Sequence, residues 1–185
     1  MALAADCINR DTLRALAVQT LIAANTNAGS RVHDPKDWPD EASDLAGAPT
    51  LMVITPTERK ESLARGVPQF DTTITLVVLV RVSADTDAAS QVALDRLCDQ
   101  VERAILCTPA MIAPIQQFVF VETSQVITVM GSAPVGEATV MFGCEVYQIY
   151  EPDAGGPLTS LDMTVPPFGG QGAPVRIRAD LPQPP

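Results

Sequence analysis

Leu13, Leu16, Ala17, Thr20, Leu21 and Ala24 recur at the i, i+3, i+4, i+7 spacing of one helical face, which predicts a helix over residues 11–25. Ala15, Val18 and Ile22 add a second apolar stripe, leaving only Arg14, Gln19 and the ends clearly polar. A helix with so broad an apolar arc is expected to be covered on two sides, by its own sheet and by a neighbouring subunit. Asn27, Ala28 and Gly29 stop it. A second helix is expected over residues 87–106, capped by Asp85 or Thr86, with Leu94, Leu97, Cys98, Val101 and Ile105 inward.

Strand periodicity is clearest from Phe70 to Val82, where Phe70, Thr72, Ile74, Leu76, Val78, Val80 and Val82 share one face. Val77 and Leu79 make the middle of that strand apolar on both faces, the mark of a central strand with a helix on one side and a second cover on the other. Thr50 to Thr55 reads as a short strand closed by Pro56, and the charged stretch Thr57 to Gly66 as a loop. Two further strands, over residues 118–130 and 138–150, flank a turn containing Gly131, Ser132, Pro134 and Gly136, and predict an antiparallel hairpin. The resulting order, α-β-β-α-β-β, describes an α+β domain, a two-layer arrangement of a mainly antiparallel sheet against two helices.

Two stretches depart from this regularity. Residues 31–47 combine two prolines, clustered acids and Trp38, which is loop composition with an aromatic anchor. After Tyr150, 8 of the 16 prolines and 5 of the 11 glycines fall within residues 151–185. The chain therefore divides into a domain, 1–150, and an extended Pro/Gly-rich C-terminal arm, 151–185, expected to adopt polyproline-type conformation. Leu158, Leu161, Met163, Val165, Phe168, Val175 and Ile177 are apolar points by which the arm could dock onto a partner and cross to a neighbour.

Composition narrows the chemistry. With 46% hydrophobic residues over 185 positions the chain can build a core of its own. The formal charge of −10 has the wrong sign for gripping phosphate backbones. No basic cluster precedes an apolar N-terminal run, and the longest apolar stretch, Leu76 to Val80, is too short to span a bilayer, so the chain is read as soluble and not secreted. Cys7, Cys98, Cys107 and Cys144 form no C-x-x-C pair and His33 is the only imidazole, which disfavours zinc and favours reduced, buried thiols over a disulfide framework.

Candidate chemistry is sparse. His33-Asp34 could suggest a general base, but a single histidine beside a proline reads as surface. Gly169-Gly170-Gln171-Gly172 lacks the flanking strand and helix of a phosphate cradle, and Asp34, Asp37, Asp40, Glu41 and Asp44 lack the spacing of a calcium loop. No nucleophile, base or metal set declares itself, so no catalytic residue, cofactor or metal ligand is assigned and the chain is read as a non-enzyme. Trp38, Arg59, Lys60, Arg65 and Phe168 are instead singled out as interface candidates: an aromatic anchor, a group of loop cations and an arm residue.

The segments LRALAVQTLIAANTNAGSRVHD, APTLMVITPTE, GVPQFDTTITLVVLVRV and ALDRLCDQVERAIL, in that order over about residues 11–150, resemble the tail terminator (tail completion) proteins of long flexible-tailed, lambda-type phages. The resemblance implies a small α+β subunit that forms a hexameric ring, caps the finished tail tube, ends its polymerisation and offers the surface to which the head joins. It implies as partners identical copies, the major tail tube protein and a head-completion or connector protein, with DNA passing through the lumen unbound and no membrane. The location implied is the virion tail or neck, and the host cytoplasm during assembly. The resemblance does not extend to the arm. Another neck or minor tail component, such as a head-closure or tube-like protein, is the alternative of the same kind. A small cytosolic enzyme or ligand-binding α+β domain is the alternative of a different kind.

Overall fold

The computed structural model describes residues 2–3, 7–34, 49–63, 65–130, 133–151, 160–165 and 175–180. In chain order the elements are β1 (Ala2–Leu3), α1 (Arg10–Ala23), β2 (Val32–His33), β3 (Thr50–Ser62), β4 (Gln69–Ser83), α2 (Asp87–Cys107), α3 (Pro109–Ile112), β5 (Gln117–Met130), β6 (Ala133–Glu151), β7 (Ser160–Val165) and β8 (Val175–Asp180). The content is mixed, α+β, and the chain divides into two compact units: Leu3–Glu151, and a second holding Met1–Ala2 with Pro152–Pro185.

In the larger unit the long strands run β5-β6-β4-β3, all antiparallel, and β2 pairs in parallel with the start of β3. Strand period explains which residues lie inward. Thr72, Ile74, Leu76, Val78, Val80 and Val82 of β4 are buried, as are Ala138, Val140, Phe142, Cys144 and Val146 of β6, and all share the face that meets the helices. Leu13, Ala17 and Leu21 of α1 and Leu94, Leu97, Val101 and Ile105 of α2 complete one continuous core with them. Each fully buried branched side chain in that cluster contributes roughly 1.5–3 kcal/mol.

Both helices start where their sequences provide caps. Asn9 Oδ1 accepts from the Thr12 amide at 2.9 Å and Thr12 Oγ1 accepts from the Asn9 amide at 2.9 Å, a reciprocal box at the start of α1. Thr86 Oγ1 accepts from the Ala89 amide at 3.2 Å and caps α2. The end of α1 comes earlier than the periodicity suggests, because Asn25 turns into the left-handed region at φ 47°. Ala24 is therefore exposed, and Ala15 and Ile22 of the second stripe are exposed as well. Only one side of α1 is buried in this chain.

Three expectations require correction. The stretch after Pro56 is not a loop: β3 continues to Ser62, with Thr57 to Ser62 paired to Thr75 to Phe70. The register shifts between Ile54 and Thr57, so Pro56 sits at an irregularity where its missing N–H costs no ladder bond, and backbone pairing carries the charged residues beyond it. The β5–β6 hairpin also begins sooner than expected, since Pro134 and Gly136 lie within β6. The Pro134 carbonyl accepts from Ser83 Oγ at 3.1 Å and Ser90 Oγ at 3.2 Å. At Gly136 a Cβ would stand 3.3 Å from Leu94, so glycine lets α2 lie close to the sheet. Finally, the C-terminal segment is not uniformly polyproline-like: β7 and β8 form an antiparallel two-stranded ribbon.

Candidate functional site

The interface candidates do not converge. Trp38 and Phe168 lie outside the described residues, as do Asp37, Asp40, Glu41 and Asp44 of the acidic cluster. Arg65 is exposed in the connection between β3 and β4. Arg59 and Lys60, expected side by side in a loop, are successive residues of β3 and so point to opposite faces of the sheet, opposite Thr73 and Thr72 of β4. Arg59 forms an exposed ion pair with Glu61 at 2.9 Å. No single cationic patch arises from the three.

Lys60 belongs instead to a polar cluster centred on Gln148, which is fully buried. Gln148 Oε1 accepts from Lys60 Nζ, from Thr72 Oγ1 at 3.1 Å and from the Tyr150 hydroxyl at 3.4 Å, while its Nε2 donates to the Ile8 carbonyl at 2.8 Å. Glu58 lies 2.5 Å from Lys60 Nζ and 3.2 Å from Arg10 Nε. Partial burial pulls the Lys60 pKa down, but hydrogen bonding and charge from Glu58 and Tyr150 more than offset it and hold the ammonium above its ordinary value. The cluster ties the entry to α1 onto β3, β4 and β6. Its chemistry is that of a clasp, since Gln148, Thr72, Lys60 and Glu58 bond to one another, to Arg10 and to the Ile8 carbonyl.

Gln148 is the residue that sequence reasoning missed. The available signal was its parity: it continues the inward row Phe142, Cys144, Val146, so a glutamine there had to find partners.

Neither the histidine nor the thiols form a reactive centre. Asp34 lies 3.5 Å from Arg14 Nε, and Arg14 also pairs with Asp11 at 3.0 Å, so the carboxylate beside His33 is engaged by a guanidinium. All four cysteines are free thiols. Burial pushes Cys144 up to about 12, and burial, partly countered by Gln125, pushes Cys98 up to about 11, so both remain protonated at neutral pH. Cys107 is exposed, contrary to the expectation that the thiols are buried. Among the described residues no three or more His, Cys, Asp or Glu side chains gather to hold a metal ion, and no helix is long and apolar enough to cross a membrane.

What the surface offers is an apolar edge. Val119, Phe120, Val121 and Val126 of β5 are 41–54% exposed. The register shifts at Val119, and the Phe120 ring then lies over Gly143 of β6, where a Cβ would come within 2.5 Å of it. Glycine leaves the space that the Phe120 ring and the Val119 side chain occupy. Beside this edge, a cleft of about 290 Å³ is lined by residues including Leu79, Arg81, Val126, Glu137 and Thr139, and the Arg81–Glu137 pair at 2.6 Å borders it.

No protein-family model matches this sequence, and no curated protein matches it significantly.

Proposed function

We propose that this chain is a structural subunit of the tail terminator type, which forms a ring on the end of a phage tail tube, stops its polymerisation and presents the joining surface for the head. In this reading Leu3–Glu151 is the two-layer body, with its principal elements in the order α-β-β-α-β-β, and residues 152–185 are its arm. The partners are identical copies closing a ring of six, the tube protein and a head-completion protein.

One observation carries the reading: the exposed apolar strip of β5, a strand whose one partner among the described residues is β6. A long apolar strand edge is a hazard in a monomer and an asset in an assembly. Repetition of one heterologous contact with a closing rotation gives a ring. The formal charge of −10 suits a channel through which DNA slides without adhering.

The test adds purified protein to tail tube protein during polymerisation. Tubes should stop elongating, and electron microscopy should show a ring with an open centre on one end. Tubes that grow at the same rate with bare ends would refute the proposal.

A further inference from the structure

β5 differs from the strands beside it in how little of it is buried. Val121, Thr123 and Gln125 stand opposite Phe142, Val140 and Ala138 of β6, and those three β6 residues are buried in the core. Residues directly opposite in a ladder share a face, so Val121, Thr123 and Gln125 belong to the side that meets α2. All three are nonetheless exposed, as is every residue from Val119 to Val126. On β4 the inward set from Thr72 to Val82 is buried throughout.

What ties β5 to α2 is polar. Thr123 Oγ1 donates to Glu102 at 2.7 Å, Gln91 Nε2 donates to Gln125 Oε1 at 2.7 Å, and Gln125 Nε2 donates to Cys98 Sγ at 3.8 Å. Hydrogen bonds of water-exposed side chains add little to stability, because water replaces them at small cost. β5 is therefore held chiefly by its backbone ladder to β6, and a strand with so little apolar burial loses little on leaving.

The start of the strand is anchored differently. Met111 and Ile115 just before it are buried, the Gln116 amide donates to the Glu145 carbonyl at 2.8 Å, and the Phe118 ring meets the Phe142 ring edge-on with centroids 6.3 Å apart. The register then shifts between Phe118 and Phe120. A bulge interrupts the ladder and bends the strand that carries it. The boundary between anchored and unanchored chain thus coincides with a break in the pairing.

We propose that β5 is a hinged strap: Val119–Thr128 lifts from β6 as a unit in the native protein, turning at the bulge beside Phe118, while α1, α2, β3, β4 and β6 stay folded. Lifting leaves the β6 backbone from Ala138 to Phe142 without its β5 partner, with the Val140 and Phe142 side chains still in the core. The strap does not depend on the ring reading, and either can fail without the other.

Amide hydrogen exchange of the full-length chain, followed by NMR at several urea concentrations below the unfolding transition, tests it. The β5 amides bonded to β6 should exchange at least about a hundredfold faster than those of β4, at one shared level of protection and with almost no dependence on urea, whereas β4 amides follow the urea dependence of global unfolding. Ile74→Val trims a fully buried side chain in the part that stays folded. It should speed β4 exchange about two- to tenfold and leave β5 exchange unchanged, because the closed and lifted forms bear the loss equally. β5 amides that share the β4 rate, its urea dependence and its response to Ile74→Val would overturn the strap, and so would protection that fades gradually from one end of β5 to the other.

Discussion

Replacing Gln148 with leucine would keep a side chain of similar size at a fully buried position while deleting both ends of its amide. Four partners lose their bond to it: the Ile8 carbonyl, the Thr72 hydroxyl, the Lys60 ammonium and, at the longest distance, the part-buried Tyr150 hydroxyl. Lys60 matters least, because its side chain is 30% exposed and keeps Glu58 at 2.5 Å. The Ile8 carbonyl and the Thr72 hydroxyl bear the cost, at roughly 1–3 kcal/mol for each buried group left unsatisfied. Burying leucine in place of an amide returns about 1 kcal/mol. The net expectation is a loss of about 1–5 kcal/mol. Thr72→Val added to Gln148→Leu removes one stranded group and should recover about 1 kcal/mol, because an apolar pair of matching shape replaces a broken bond. Urea unfolding followed by far-ultraviolet circular dichroism measures both, provided the dependence on urea is unchanged. A Gln148→Leu chain as stable as the parent, or a double variant with no recovery, would refute the assignment of this cluster as a clasp.

Two further outcomes follow from the thiols. Cys98 and Cys144 have folded-state pKa values of about 11 and about 12 against an ordinary 9.0, so the unfolded chain loses these protons first and stability present below pH 9 should fall as pH rises toward 11–12. Lys60, also raised, acts in the same direction but only above its ordinary 10.5. Urea midpoints measured from pH 7 to 11 should be level up to 9 and decline beyond it, and Cys98→Ala with Cys144→Ala should make the decline shallower. In native protein at neutral pH, a thiol reagent such as Ellman's should modify exposed Cys107 quickly and reach Cys98 and Cys144 only after denaturation. Rapid reaction of all four thiols would contradict the burial described above.

The core was legible because its signals are local. The alternation from Thr72 to Val82 and the stripe Leu94, Leu97, Cys98, Val101, Ile105 each identify a face without reference to the rest of the chain, and all of these residues are buried. The far half of β3 was hidden for the opposite reason. Glu58 to Glu61 read as loop because polarity is what an edge strand shares with a loop, and the pairing that defines it comes from the β4 backbone. Pro134 and Gly136 carry turn chemistry, yet the turn does not use them: one supplies a carbonyl to Ser83 and Ser90, the other makes room for Leu94. Lys60 shows the limit most plainly at the candidate site. Its neighbours in sequence suggest a surface cation, while its principal partner, Gln148, is 88 residues away.

Under the proposed function, exposed apolar side chains bear on where a neighbouring copy would sit. The sequence suggested that α1 would be covered on two sides; in this chain Leu13, Ala17 and Leu21 join the core, while Ala15 and Ile22 of the second stripe are exposed. Val119, Phe120, Val121 and Val126 place four exposed apolar side chains on β5, whose one partner among the described residues is β6. A subunit whose core is closed and whose edge is open should fold first and assemble second, because the energy of its core does not depend on the neighbour. In the proposed ring, assembly would then add burial of Val119, Phe120, Val121 and Val126 to an already stable body.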